Sequence, residues 1–326
     1  MDIHPPVWVI GAGAIGLYVA AHLSHVTSVT LVARGTRAQW LNENGFELRG
    51  ADAGRYRLPV KSLEPGLSIP SEAIVLLATK ATDLEKLFGN LAPALHPGQT
   101  VALVQNGLGV HKFVHAYLPA AALVRLTCWV GVSLEAGRQA VVAGAPLFET
   151  GADTTESERA AETLLQLFNA ANLRARPGGS VAEVEWKKAL LNLVVSGICA
   201  ILDERNGAIL ESPELKDIVE EVLAEALPVA AAEGVALGEA DKERVYMALH
   251  NTRENWNAMI QDLRRGADTE MPFLNAAVER VARRHGLHAP VNSTIARLIN
   301  HIARTRRRAG EGPVSARVHK RTHTFS

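Results

Sequence analysis

The chain has 326 residues, 48% apolar and 21% charged, enough for two domains and inconsistent with general disorder or a fibrous fold. Its 34 basic residues balance 34 acidic ones, so no overall field directs it to nucleic acid or to a membrane. Two cysteines, Cys128 and Cys199, are too few for a disulfide scaffold, and no N-terminal basic region leads into an apolar stretch, so a cytoplasmic protein without membrane spans is expected.

In chain order, the first half alternates β-rich runs with helical stretches. Val7 to Ile10, Val29 to Ala33, Ile74 to Ala78 and Val101 to Val104 are apolar without alternation, as strands buried on both faces of a parallel sheet are. Helices are predicted between them, at Ile15 to Leu23 and Leu84 to Leu91. This order defines an α/β doubly wound domain. Two further strands, 126–134 and 139–148, joined by a turn at 135–138, read as an antiparallel addition to the sheet. A helix at 155–171 and a short run at 173–176 lead to Pro177-Gly178-Gly179, the expected domain boundary. Everything beyond reads helical, at about 181–202, 213–233, 239–265, 271–285 and 293–307.

Gly11-Ala12-Gly13-Ala14-Ile15-Gly16 follows the first strand and opens a helix. Gly11 permits the tight turn, Gly13 lets the backbone approach a pyrophosphate, and Gly16 allows close helix–strand packing. With a second strand ending about 20 residues later, the pattern reads as a Rossmann-type dinucleotide site. That strand ends in Ala33-Arg34-Gly35, with no acid before Glu43 to hold a ribose 2′-hydroxyl. An arginine there suits a 2′-phosphate, and Arg37 stands one helical turn later, so NADP (NADPH) is the expected cofactor. The predicted division is a Rossmann-type NADP-binding domain at 1–178, an all-α substrate and catalytic domain at 179–303, and a basic tail at 304–326. The tail holds seven basic residues against one acid and is expected to be disordered. Phe325 is its only aromatic residue, so no nucleic-acid role is assigned, and His319 and His323 are not expected to bind metal.

Lys188, Asn192 and Ser196 sit at i, i+4 and i+8 of an otherwise apolar helix and so share one face. A buried lysine has a lowered pKa and can serve as a proton donor. The other reading of the helix is a lysine reaching the surface beside a buried asparagine.

These residues resemble the ketopantoate reductase (2-dehydropantoate 2-reductase) family over about Val7 to Ile302. The resemblance is carried by the glycine motif, Val29 to Gly35, Thr79-Lys80 and Gln105-Asn106-Gly107. Trp186-x-Lys188-x3-Asn192, Asn206-Gly207 and Met259-x2-Asp262-x7-Glu270 extend it. It implies NADPH-dependent reduction of 2-dehydropantoate or a related 2-oxo acid in pantothenate biosynthesis. By the same resemblance Lys188 is the general acid, Asn106 holds the substrate or the nicotinamide end of the cofactor, and Lys80 contacts NADPH. Asn192 and Asn255 hydrogen-bond substrate, with Ser196 and Asn206 also in its site. Glu270 contacts the nicotinamide ribose and helps position Lys188. A small-molecule substrate is the expected partner, with a homodimer left open and no metal.

Three positions depart from the family. Ser196 replaces a second asparagine, Ala258 replaces a serine that helps bind substrate carboxylate, and Asn275-Ala276 replaces Asn-Gly. Asn257 or Asn251 could supply the missing donor. Two alternatives stay open: a reductase of the same architecture acting on another oxo or hydroxy acid, and a non-catalytic NADP-binding sensor.

Overall fold

The computed structural model describes residues 4–50, 52–129, 131–135, 139–143 and 146–310. The strands are β1 (Val7–Ile10), β2 (Val29–Ala33), β3 (Phe46–Arg49), β4 (Gly54–Tyr56), β5 (Val60–Ser62), β6 (Ile74–Leu77), β7 (Thr100–Leu103), β8 (Ala122–Cys128), β9 (Gly131–Glu135), β10 (Gln139–Ala143), β11 (Phe148–Gly151) and β12 (Ala175–Gly179). Among them lie α1 (Ala14–Leu23), α2 (Gly35–Asn44), α3 (Leu84–Leu91), α4 (Val110–Tyr117) and α5 (Thr155–Ala170). The main sheet has the order β12-β11-β8-β7-β6-β1-β2-β5. Only the β8–β11 pairing is antiparallel. Its strands are apolar throughout because both faces are covered. Val7, Val9 and Leu31 pack toward α1 and α5, whereas Trp8, Ile10 and Val32 pack toward α3 and α4. The chain winds outward from β1 to β2 and returns to β6 on the other side of β1. The carboxyl ends of β1 and β6 therefore flank the switch point, where such sheets bind ligands.

The stretch expected to form one strand over 126–134 is divided at Trp129. Its amide bonds Leu147 O at 2.8 Å and closes the β8–β11 pairing, after which the chain leaves the sheet. β9 and β10 then pair antiparallel in a separate four-stranded sheet, β4-β3-β10-β9, rather than extending the main one. Of the predicted turn, 136–138 lie outside the described residues. Pro177-Gly178-Gly179 is likewise no linker, because it belongs to β12 and pairs with β11. Its glycine has a packing purpose: a Cβ on Gly178 or Gly151 would come within 2.4 or 2.5 Å of the Val184 methyls. Their absence lets the first helix of the next unit land on the sheet.

That unit comprises α6 (Val181–Leu202), α7 (Ala208–Glu211), α8 (Pro213–Ala232), α9 (Glu239–Asn251), α10 (Ala258–Arg264), α11 (Asn275–Arg284) and α12 (Pro290–Gly310). A reciprocal cap starts α6: Ser180 Oγ accepts from Glu183 N at 3.2 Å, and Glu183 Oε2 from Ser180 N at 2.8 Å. α6 packs against α8, α9, α10 and α12 and forms the core of the unit. The helix expected over 239–265 is two helices, since Asn257 caps a new start with Oδ1 3.1 Å from Ile260 N. The predicted helix at 271–285 opens with a 3-10 turn, Met271–Phe273. Residues 304–310 of the tail expected to be disordered continue α12, and 311–326 lie outside the described residues. No helix among the described residues is long and apolar enough to cross a membrane.

Candidate active site

At the end of β1 the chain turns through Gly11 at φ +114°, a conformation open to glycine. A Cβ there would meet Ala78 C at 2.8 Å, and one on Gly16 would meet Gly11 O at 2.0 Å. Gly13 is different, with nothing nearer its missing Cβ than Ala78 O at 3.9 Å. It leaves open space before the N-terminus of α1, which no side chain caps. Ala12, Gly13, Ala14 and Ile15 thus form a half-buried cradle of free amides, suited to a pyrophosphate. Thr79, whose backbone adjoins Gly11, and Gln105, just beyond β7, carry buried polar side-chain atoms without hydrogen-bond partners among the described residues. Arg37 donates to Ala12 O at 3.2 Å and covers the loop. The residues present fit a dinucleotide.

Arg34, at the end of β2, is not a free cation: its guanidinium lies 2.9 Å from Asp83 Oδ2. The sequence has no acid near the end of β2, but the fold brings one there from beyond β6.

The opposite wall comes from the helical unit. Lys80 Nζ pairs with Asp262 Oδ1 at 2.6 Å. Glu270 accepts from Ala81 N at 3.3 Å and from Asn106 Nδ2 at 3.4 Å. Burial pushes the Glu270 carboxyl above the ordinary range, against the pull of these two donors. Among the described residues no hydrogen bond or ion pair joins Glu270 to Lys188. Asn106 is held by its neighbour: Gly107 has φ +112°, and a Cβ there would lie 2.5 Å from Phe273 Cβ.

Lys188 faces the carboxyl end of β8. It is 7% exposed, which excludes a side chain reaching out to solvent. Its Nζ lies 5.0 Å from the centre of the Trp129 ring, and no hydrogen bond or ion pair reaches it among the described residues. Burial pushes the ammonium below the ordinary lysine range, with Arg244 and Arg125 adding to this and Cys128 and Glu149 opposing it. Lys187, by contrast, points to Glu183 at 3.6 Å. One turn on, Asn192 has a buried Nδ2 without a partner among the described residues, and Ser196 is buried beyond it. Asn206 and Asn255 meet through their backbones, N to O at 3.1 Å, and Asn206 Nδ2 donates to Thr252 Oγ1 at 3.3 Å. Neither hydrogen-bonds Lys188 among the described residues. Asn257 is spent on its cap and on Val195 O, and Asn251 is exposed, so neither stands in for the missing serine.

Sequence reasoning missed Trp129, Glu149 and Arg244. Glu149 is buried on β11 and accepts from Trp129 Nε1 at 2.6 Å, Arg176 at 2.6 Å and Arg244 at 2.7 Å. Burial alone would raise its pKa, but these donors hold it below the carboxylate range. A cavity of about 400 Å³ opens elsewhere, at Ala81, Thr82 and Thr269. Its lining includes neither Lys188 nor Asn192.

A dinucleotide cradle on one unit and a buried lysine on the other define the general layout of a two-unit oxidoreductase. A family model described as ketopantoate reductase PanE/ApbA matches residues 7–153, and its C-terminal counterpart matches 180–303. The 2-dehydropantoate 2-reductase of Pyrococcus horikoshii is 28% identical over 289 residues, 88% of this chain and 93% of its own. That of Halobacterium salinarum is 29% identical over 299 residues, covering 90% and 97%. Among solved structures, D-mandelate dehydrogenase with NADH and anilino(oxo)acetate has a TM-score of 0.83 at 21% identity, covering 92% of this chain and 99% of that one. The PanE/ApbA family ketopantoate reductase from Ralstonia eutropha JMP134 has 0.82 at 22%, with the same coverage. At these identities the structures show a common fold. The chain belongs to the ketopantoate reductase family and is an oxidoreductase.

Proposed function

We propose that the protein reduces 2-dehydropantoate, or a related 2-oxo acid, to the 2-hydroxy acid, with Lys188 as the proton donor. The observation that carries this reading is a buried lysine without an ion-pair partner among the described residues, aligned with Asn192 on α6 at the carboxyl edge of the sheet. NADPH bound in the glycine cradle would supply the hydride. Gly11 to Gly16 would hold its pyrophosphate, Arg34 its 2′-phosphate, and Lys80, Asn106 and Glu270 its nicotinamide half. Asn192 and Asn255 would orient the substrate. An ammonium beside the carbonyl oxygen stabilises developing negative charge and then delivers the proton. Its low exposure keeps water from competing for that oxygen. The related-acid reading is favoured by one observation: Ala258 offers no donor at the start of α10, and Asn257 cannot replace it.

A panel of 2-oxo acids, followed by NADPH absorbance, identifies the substrate, and two lysine variants test the mechanism. Lys188→Ala should lower turnover by about 10²–10⁴ with NADPH affinity nearly unchanged. Lys187→Ala should do neither. The donor must be protonated, so the wild-type rate falls as pH rises through the Lys188 pKa, below the ordinary lysine range. The residual rate of Lys188→Ala should lack that fall. Equal losses from both lysines, or none from Lys188, would remove the assignment.

A further inference from the structure

We propose that Arg244 receives the substrate's carboxylate and thereby selects 2-oxo acids over their neutral counterparts. This rests on the reading of Lys188 as proton donor to such a substrate. Arg244 reaches from α9 to the carboxyl edge of the sheet, where its guanidinium carbon lies 4.2 Å from the centre of the Trp129 ring. Lys188 Nζ stands 5.0 Å from the same ring. The proposed proton donor and the guanidinium thus both lie within about 5 Å of the centre of one indole, the neighbourhood in which a 2-oxo acid would present its keto and carboxylate oxygens.

Charge points the same way. Three cations, Lys188, Arg244 and Arg176, gather around one buried carboxylate, Glu149, and only the two arginines pair with it. Arg176, 55% exposed, is screened by solvent, but Arg244 at 31% and Lys188 at 7% are much less so. Three cations against the one carboxylate of Glu149 leave positive charge in excess, and a carboxylate substrate offsets part of it. Arg244 has donors to spare: Glu149 takes one Nη, and no hydrogen bond uses Nε or the second Nη among the described residues. A guanidinium held this way can donate two parallel hydrogen bonds to a carboxylate. Glu149 and the Trp129 face fix its position, which reduces the entropy lost on binding. The start of α10, with Ala258 and a committed Asn257, supplies no competing side-chain donor.

Isothermal titration of the NADPH-saturated enzyme with oxamate, a 2-oxo acid mimic that is not reduced, and with neutral oxamide tests this directly. Arg244→Met should weaken oxamate at least tenfold and leave oxamide and NADPH affinities unchanged. Arg244→Lys, which keeps the charge but not the fork, should fall between. With the 2-oxo acid that the wild type reduces, the Arg244→Met loss should appear mainly in KM. Unchanged oxamate binding in Arg244→Met would overturn the proposal, as would equal weakening of oxamide or a wild type that binds no oxamate. Failure of the Lys188 reading shows elsewhere, as retained turnover in Lys188→Ala, and leaves the titration with oxamate standing.

Discussion

At the scale of single residues, the proposed preference for NADPH rests on Arg34 and Asp83. Their ion pair at 2.9 Å is 62% and 32% exposed, so it contributes about 0–1 kcal/mol and yields readily to a stronger partner. A 2′-phosphate offers Arg34 more charge than Asp83 does. A ribose 2′-hydroxyl could instead donate to Asp83, the acid that the end of β2 lacks in the sequence. The wild type should bind NADPH about tenfold more tightly than NADH in a fluorescence titration. Asp83→Asn should widen that preference, and Arg34→Ala should abolish it. A ratio unchanged in Arg34→Ala would remove the case for NADPH. Arg34 and Lys188 were legible because each has a local signal, a strand end and a helical spacing. Asp83 and Arg244 have none. Arg244 lies on a helix rich in exposed charge, and its partner Glu149 is 95 residues earlier.

At the scale of elements, the seat of α6 depends on a buried ion pair. Arg125, 1% exposed in the middle of β8, donates to Glu185 Oε1 at 2.9 Å, to Leu103 O at 2.6 Å and to Gln105 O. Glu185 also accepts from Gly109 N at 2.8 Å and His111 N at 3.2 Å. The pair thus joins the loop that carries Asn106 to the helix that carries Lys188, three residues beyond Glu185. Removing one partner leaves the other charged and unpaired in the interior, a cost of about 3–5 kcal/mol. Arg125→Met should lose that much in urea unfolding, and adding Glu185→Leu should recover part of it. Strictly additive losses would show that the two do not act as a pair. The same two elements show what sequence could give. A charge within the run Leu123-Val124-Arg125-Leu126, and an acid three residues before Lys188, are visible signals that a long-range pair would explain. α6 and the four central strands were legible because their burial is continuous. The break at Trp129, the short β3, β4 and β5, and the division of α9 from α10 were not. Each is decided by a partner distant in sequence or by a cap within an otherwise helical stretch.

At the scale of the molecule, the two units meet through groups that face the proposed ligand. Lys80 pairs with Asp262, Asn106 and Ala81 N bond Glu270, and Leu108 N donates to Phe273 O at 2.7 Å. A coenzyme resting on the carboxyl ends of β1 and β6 would touch the first-unit members of these pairs. Its binding should therefore order the helical segment 262–273 as well as the glycine loop, before any substrate arrives. The proposed reduction requires water to be kept from the nicotinamide, and these contacts would hold the helical segment over it. Hydrogen exchange measured with and without NADPH should show slowed amides at both 11–16 and 262–273. Asp262→Asn, which removes the charge opposite Lys80, should weaken protection of the second segment more than that of the first. Protection confined to the glycine loop and β6, with 262–273 unchanged, would mean that the helical unit takes no part in coenzyme binding and that Glu270 belongs to the fold alone.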